Sequence, residues 1–180
     1  MKLKLLFFLA FGLLLISCKK EKECPDCGEH GICNESTKTC DCKPGYIGLK
    51  CEFETAPNGM SITGIRVRQY PALNNGASWD NFSNYADPYA IVYNSNGVKL
   101  YESAYYEEVP PTTAFSWNTN IDVNPLLEVK LVIYDYDSGA TDSVIGTVFF
   151  KPYETGLNFP TIKTIDQNGL IVDIFYSYRF

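Results

Sequence analysis

The sequence predicts an all-β protein in two parts, a short disulfide-stapled module followed by a sandwich of two antiparallel sheets. Three observations carry this. From about residue 60 onward apolar and polar residues alternate with period two and show little helical periodicity. Turn-forming residues recur roughly every ten positions, the spacing of short strands in a sandwich. All seven cysteines lie at or before Cys51, so the remainder needs no staples and is long enough to bury a core rich in Tyr, Phe, Val and Ile.

Residues 1–17 read as an export signal. Met1-Lys2-Leu3-Lys4 is a charged start, and an almost unbroken apolar run from Leu5 to Ile16 follows, too short at about a dozen residues to span a bilayer. The run ends in Leu15-Ile16-Ser17-Cys18, which resembles the lipobox of bacterial lipoproteins. That resemblance implies cleavage before Cys18 and lipid attachment to its sulfur. An ordinary signal peptide would leave Cys18 an incidental thiol, but parity argues otherwise: removing Cys18 from seven cysteines leaves six, an even set for an oxidising compartment.

Residues 18–23 are the lipidated cysteine and a charged tether. Losing Lys2 and Lys4 with the signal takes the formal charge from −6 to −8, a balance unsuited to nucleic acid or to anionic lipid without a bridging cation. Lys19-Lys20-Glu21-Lys22-Glu23 reads as a plain spacer or as one of the surface-export signals it resembles. The expected location is the bacterial cell envelope, lipid-anchored, in the outer membrane and exposed at the surface.

Residues 24–51 hold six cysteines in a stretch too short to fold on a hydrophobic core. Six cysteines allow fifteen pairings, and spacing does not choose among them. Cys24-x-x-Cys27 with His30 raises a zinc site as a rival, although six cysteines exceed what a four-ligand site needs. The closing stretch Cys40-x-Cys42-x-x-Gly45-Tyr46-x-Gly48-x-x-Cys51 resembles the epidermal-growth-factor-like modules. That resemblance implies the pairs Cys24 to Cys33, Cys27 to Cys40 and Cys42 to Cys51, and a role as a rigid spacer.

Residues 52–59 form a linker, and residues 60–180 the sandwich. Strands are predicted over 62–70, 89–93, 100–106, 114–117, 127–134, 144–150 and 170–178, with Leu127, Val129, Leu131 and Ile133 on one face of the fifth. Asp135 and Asp137 follow directly on that apolar strand and point the same way, and their repulsion is tolerable in solvent or around a cation. Asp142 lies in the same loop. A second acidic loop runs through Asp80 to Asp87, which Pro88 holds extended at the start of a strand. Hard oxygen ligands from flexible loops suit calcium. Trp79 and Phe82 flank Asp80, either as aromatic contacts for a ligand or membrane at an exposed tip, or folded inward into the core.

Asp87-Pro88-Tyr89, Trp117-Asn118, and Tyr134-Asp135-x-Asp137 followed by Ile145-Gly146 together resemble the C2 family of calcium- and phospholipid-binding domains. The resemblance implies an eight-stranded antiparallel sandwich with calcium held at one tip by Asp80, Asp87, Asp135, Asp137 and Asp142. Ser143 stands where the family's last acidic ligand would fall, which weakens that corner. The expected function is non-enzymatic: a calcium-dependent tip that docks on anionic lipid, glycan or protein. A calcium-independent structural or protein-interaction module is the alternative. An enzyme using Asp135 and Asp137 as acid and base fits poorly, because the chain's single histidine, His30, lies outside the sandwich and no nucleophile motif is present.

Overall fold

The computed structural model describes residues 23–80 and 85–180, so Cys18, expected to carry the lipid, and Phe82, expected at the tip, lie outside the described residues. Among these residues all regular secondary structure is β.

The cysteine-rich segment is two small hairpins. Strand β1 (Gly31–Asn34) pairs with β2 (Thr39–Cys42), and β3 (Tyr46–Ile47) pairs with β4 (Phe53–Glu54). Disulfides join Cys24 to Cys33, Cys27 to Cys40 and Cys42 to Cys51, the pairing that the growth-factor resemblance implies. Among the described residues every cysteine is in a disulfide and none offers a thiolate for zinc, and His30 stacks instead on Tyr46 with centroids 3.7 Å apart. Phe53 and Glu54, placed in the linker by the sequence, belong to the second hairpin.

Eight strands follow: β5 (Gly59–Gln69), β6 (Pro88–Tyr93), β7 (Lys99–Glu102), β8 (Phe115–Val123), β9 (Val129–Asp135), β10 (Ser143–Phe150), β11 (Ile162–Gln167) and β12 (Leu170–Arg179). They form two four-stranded sheets, β10-β9-β6-β7 and β11-β12-β5-β8, all antiparallel. The core lies between them: Ile65, Val67, Val172 and Ile174 from one sheet, Ala90, Val92, Leu131, Ile133 and Val148 from the other.

Strand β5 shows why simple alternation is not enough. Met60 and Ile62 are buried, and so are Ile65 and Val67, although the parity changes between the pairs. The register against both neighbours shifts around Thr63, and this extra residue turns the second pair back toward the core.

Several sequence expectations need correction. β11 was not anticipated: it is a half-exposed edge strand, and its signal was the Asn168-Gly169 turn into β12, both residues having positive φ. Leu127 lies before β9 and is exposed. β8 runs on to Val123, and β7 stops at Glu102. Beyond it, Ser103 and Tyr106 still donate to the Ala90 and Pro88 carbonyls, but three residues now oppose two and the ladder ends.

The cysteine-rich hairpins are seated on the end of the sandwich where β5 begins. Tyr46 donates from its hydroxyl to Asn158 at 2.8 Å and meets Phe159 edge to face. The Glu54 carboxylate accepts from the Gly156 and Asn158 amides at 3.1 and 3.3 Å. Gly45 is required here, since its φ is +89° and a Cβ would come within 2.5 Å of the Phe159 ring.

Candidate metal centre

Three loops meet at the opposite end of the sandwich. Loop 70–87 joins β5 to β6, loop 103–114 joins β7 to β8, and loop 136–142 joins β9 to β10. Ladder register brings them together: Asp135 opposes both Pro88 and Ser143, and Val67 opposes Phe115.

Asp135 is the last residue of β9 and is fully buried. Its Oδ1 accepts from the Asp87 amide at 2.7 Å, while its Oδ2 is buried with no hydrogen-bond partner. Burial pushes its pKa up to about 7; the Asp87 amide opposes the shift, and the charges of Asp80, Asp137 and Asp87 add to it. Carboxylate oxygens of Asp80, Asp135 and Asp137 lie within 4.8 Å of one another, and a second trio of Asp80, Asp87 and Glu108 does the same. At such distances two carboxylates near a protein surface repel by about 4 kcal/mol. A cation between them would relieve that repulsion and give the orphaned Oδ2 a partner.

The donor set fits calcium. It is all carboxylate oxygen, and two oxygens on one calcium ion, each at about 2.4 Å, can be no more than about 5 Å apart.

The structure therefore gathers Asp80, Asp87, Asp135 and Asp137. Asp142 is in neither trio: its Oδ2 accepts from the Tyr89 hydroxyl at 2.5 Å and its Oδ1 from the Asp137 amide at 3.1 Å, so it braces the loop. Ser143 is the first residue of β10.

Trp79 is corrected as an exposed contact. It is buried, its indole donates to the Pro71 carbonyl at 2.8 Å, and its ring meets Tyr70 edge to face. It fixes the chain just before Asp80. Tyr70 in turn ties two loops together, donating its hydroxyl to the Val109 carbonyl and accepting from the Ala86 amide.

Glu108 was missed. It stands in a left-handed conformation at φ +49°, and its amide donates to Asp87 Oδ1 at 2.7 Å. A non-glycine residue held at positive φ stores local backbone strain. The pair Glu107-Glu108 ahead of Val109-Pro110-Pro111 was the available signal, an acidic pair in a loop stiffened by prolines.

No protein-family model matches the sequence, and no curated protein matches it. Among solved structures, one described as the structure of a C2 domain is similar at 15% identity and TM-score 0.47, covering 68% of this chain and 98% of its own. A C2 domain of plant extended synaptotagmin 1 is similar at 14% identity and TM-score 0.40, covering 70% of this chain and 99% of its own. Human GIVD cytosolic phospholipase A2 is similar at 22% identity and TM-score 0.42 over 69% of this chain, which spans 17% of that protein. These likenesses are distant, and the sandwich rests on its own strand pairing.

Proposed function

We propose that this chain is a non-enzymatic binding protein of the bacterial cell envelope, held through a lipid on Cys18, whose sandwich carries a calcium-dependent docking tip. The observation that supports it is Asp135: a fully buried carboxylate with one oxygen unpartnered, aimed into the cluster with Asp80 and Asp137. An uncompensated buried charge is costly, and a bound cation is the economical remedy. Calcium at extracellular concentrations serves sites with dissociation constants of about 0.1–1 mM, so a modest affinity suffices. The docked partner belongs to one of three classes, an anionic lipid, a glycan or a protein.

The test is calorimetric titration of calcium into the full chain carrying Cys18→Ser, with parallel melts in chelator and in millimolar calcium. Saturable heat and a melting point raised by calcium are expected, both lost in Asp135→Asn/Asp137→Asn. Neither heat nor shift would leave the second reading, a calcium-independent interaction module. One observation favours that reading: Asp142 engages both its oxygens, with the Tyr89 hydroxyl and the Asp137 amide, and is in neither trio.

A further inference from the structure

Resting on the calcium reading above, we infer that the loaded tip takes a neutral, hydroxyl-rich partner, a glycan, in preference to an anionic membrane. The first ground is charge. The three loops contain Asp80, Asp87, Glu107, Glu108, Asp137 and Asp142 but no lysine or arginine. With Asp135 at their base, a calcium ion in each trio would cancel four negative charges and leave the tip still acidic. A surface that remains negative after loading is repelled by an anionic bilayer at close range, whereas sugar hydroxyls carry no charge and make good calcium ligands.

The second ground is what projects from the loops. Membrane-inserting tips carry bulky apolar side chains, but loop 136–142 reads Tyr-Asp-Ser-Gly-Ala-Thr-Asp and Trp79 is folded inward. Among the described residues of the three loops Leu73 is the one exposed large aliphatic side chain. The exposed rings among those described residues are tyrosines instead. Tyr105 and Tyr136 stack at 4.5 Å with planes 14° apart, and they remain 44% and 38% exposed. An amphipathic ring with little conformational entropy to lose is well suited to the apolar C–H face of a sugar while its hydroxyl bonds to the rim.

The third ground is position. Tyr136 points to the face opposite Asp135 and Asp137, and its amide donates to the Asp87 carbonyl at 3.0 Å, so it stands across the ladder from Asp87, a member of the second trio. Calcium takes six to eight oxygens, and each trio supplies three carboxylates. The open positions would accept a vicinal pair of hydroxyls from a ring resting against Tyr105 and Tyr136.

The deciding experiment uses the full chain with Cys18→Ser and measures the calcium-dependent part of binding, with chelator as the baseline. Probes are immobilised neutral polysaccharides (mannan, dextran, galactan and arabinoxylan) and vesicles of phosphatidylcholine and phosphatidylserine in equal parts. The same sample is titrated with calcium by calorimetry. Expected are calcium heat, calcium-dependent retention on at least one polysaccharide, and no calcium-dependent vesicle binding. Tyr105→Ala and Tyr136→Ala should each weaken retention about tenfold, the upper range for one aromatic contact, while the calcium heat persists and certifies the fold. Calcium heat with vesicle binding and no polysaccharide retention overturns the glycan inference alone. Absence of calcium heat overturns it together with the calcium reading on which it rests.

Discussion

The carboxylate of Asp135 accepts the Asp87 amide at 2.7 Å through Oδ1 and buries Oδ2 with nothing to bond it. The bond aligns two acidic loops, and the orphaned oxygen makes that alignment expensive unless a cation is present. Asp135→Asn keeps the acceptor for the Asp87 amide while removing the charge. It should cut calcium affinity at least tenfold yet leave the metal-free protein as stable as the parent or more so, seen as a higher melting point in chelator. A large loss of stability in chelator would mean that the buried charge is not the costly feature.

The raised pKa of Asp135 sets an unusual pH profile. Its carboxyl moves from the ordinary value of 3.8 up to about 7 in the folded chain, chiefly through burial. The folded state therefore holds this proton more tightly than the unfolded one. The contribution is fully present below the ordinary value and is lost as pH rises through 7, a change on the order of 4 kcal/mol in metal-free protein. Denaturant melts in chelator from pH 5 to pH 8 should show stability falling. Calcium must displace that proton, so its affinity should drop about tenfold per unit below pH 7, with proton release detectable by calorimetry in buffers of different ionisation heat.

On the outer face of the other sheet, Asp173 is fully buried and accepts from Arg66 Nε at 2.9 Å, Arg68 Nε at 2.7 Å and the Thr164 hydroxyl at 2.7 Å. Burial alone would raise its pKa, but Thr164, Arg68 and Arg66 outweigh it and hold the carboxyl below its ordinary value. Its stabilisation is present above that value and disappears as acid titrates the folded carboxyl. Asp173→Ala should cost about 2 kcal/mol, because it removes the charged acceptor shared by Arg66, Arg68 and Thr164, while the two arginines, half exposed, remain solvated. Calcium titration of this variant should be unchanged, which separates fold from site.

Gly45→Ala tests the seat between the hairpins and the sandwich. The added methyl would meet the Phe159 ring at 2.5 Å and the Phe180 ring at 2.8 Å, on a backbone with φ +89°. The expected result is release of the hairpins with both parts folded: a larger radius of gyration in solution scattering, faster proteolysis between Glu54 and Gly59, and an unaltered calcium heat. An unchanged radius would mean that the seat tolerates the methyl.

Much of this arrangement could be read from residue order because it is local. Asp87-Pro88-Tyr89 and Tyr134-Asp135-x-Asp137 are strand ends, where alternation and a proline fix which way a side chain points. Glu108 could not be placed so, because its approach to Asp87 depends on Ala86 bridging Val109 and on Tyr70 bonding both. The fate of Trp79 was decided by Tyr70 and Pro71, whose packing no period reveals. Asp142 had the right composition and the wrong partner, since Tyr89 on the neighbouring strand captures it. Thr63 shows the limit for strands: one inserted residue reverses parity, and only the ladder against β8 and β12 exposes it.

The chain enters the sandwich at Gly59, opposite Arg179, and the acidic loops lie beyond Gln69, opposite Ile171, at the other end of the same strand. A pull exerted by a captured partner and resisted upstream of Cys24 would therefore run lengthwise along β5, a central strand hydrogen-bonded to β12 and β8. Its bonds would be loaded together in shear, whereas a perpendicular pull would peel them one by one. Between Cys24 and that strand, three disulfides short-circuit most of the chain that could pay out.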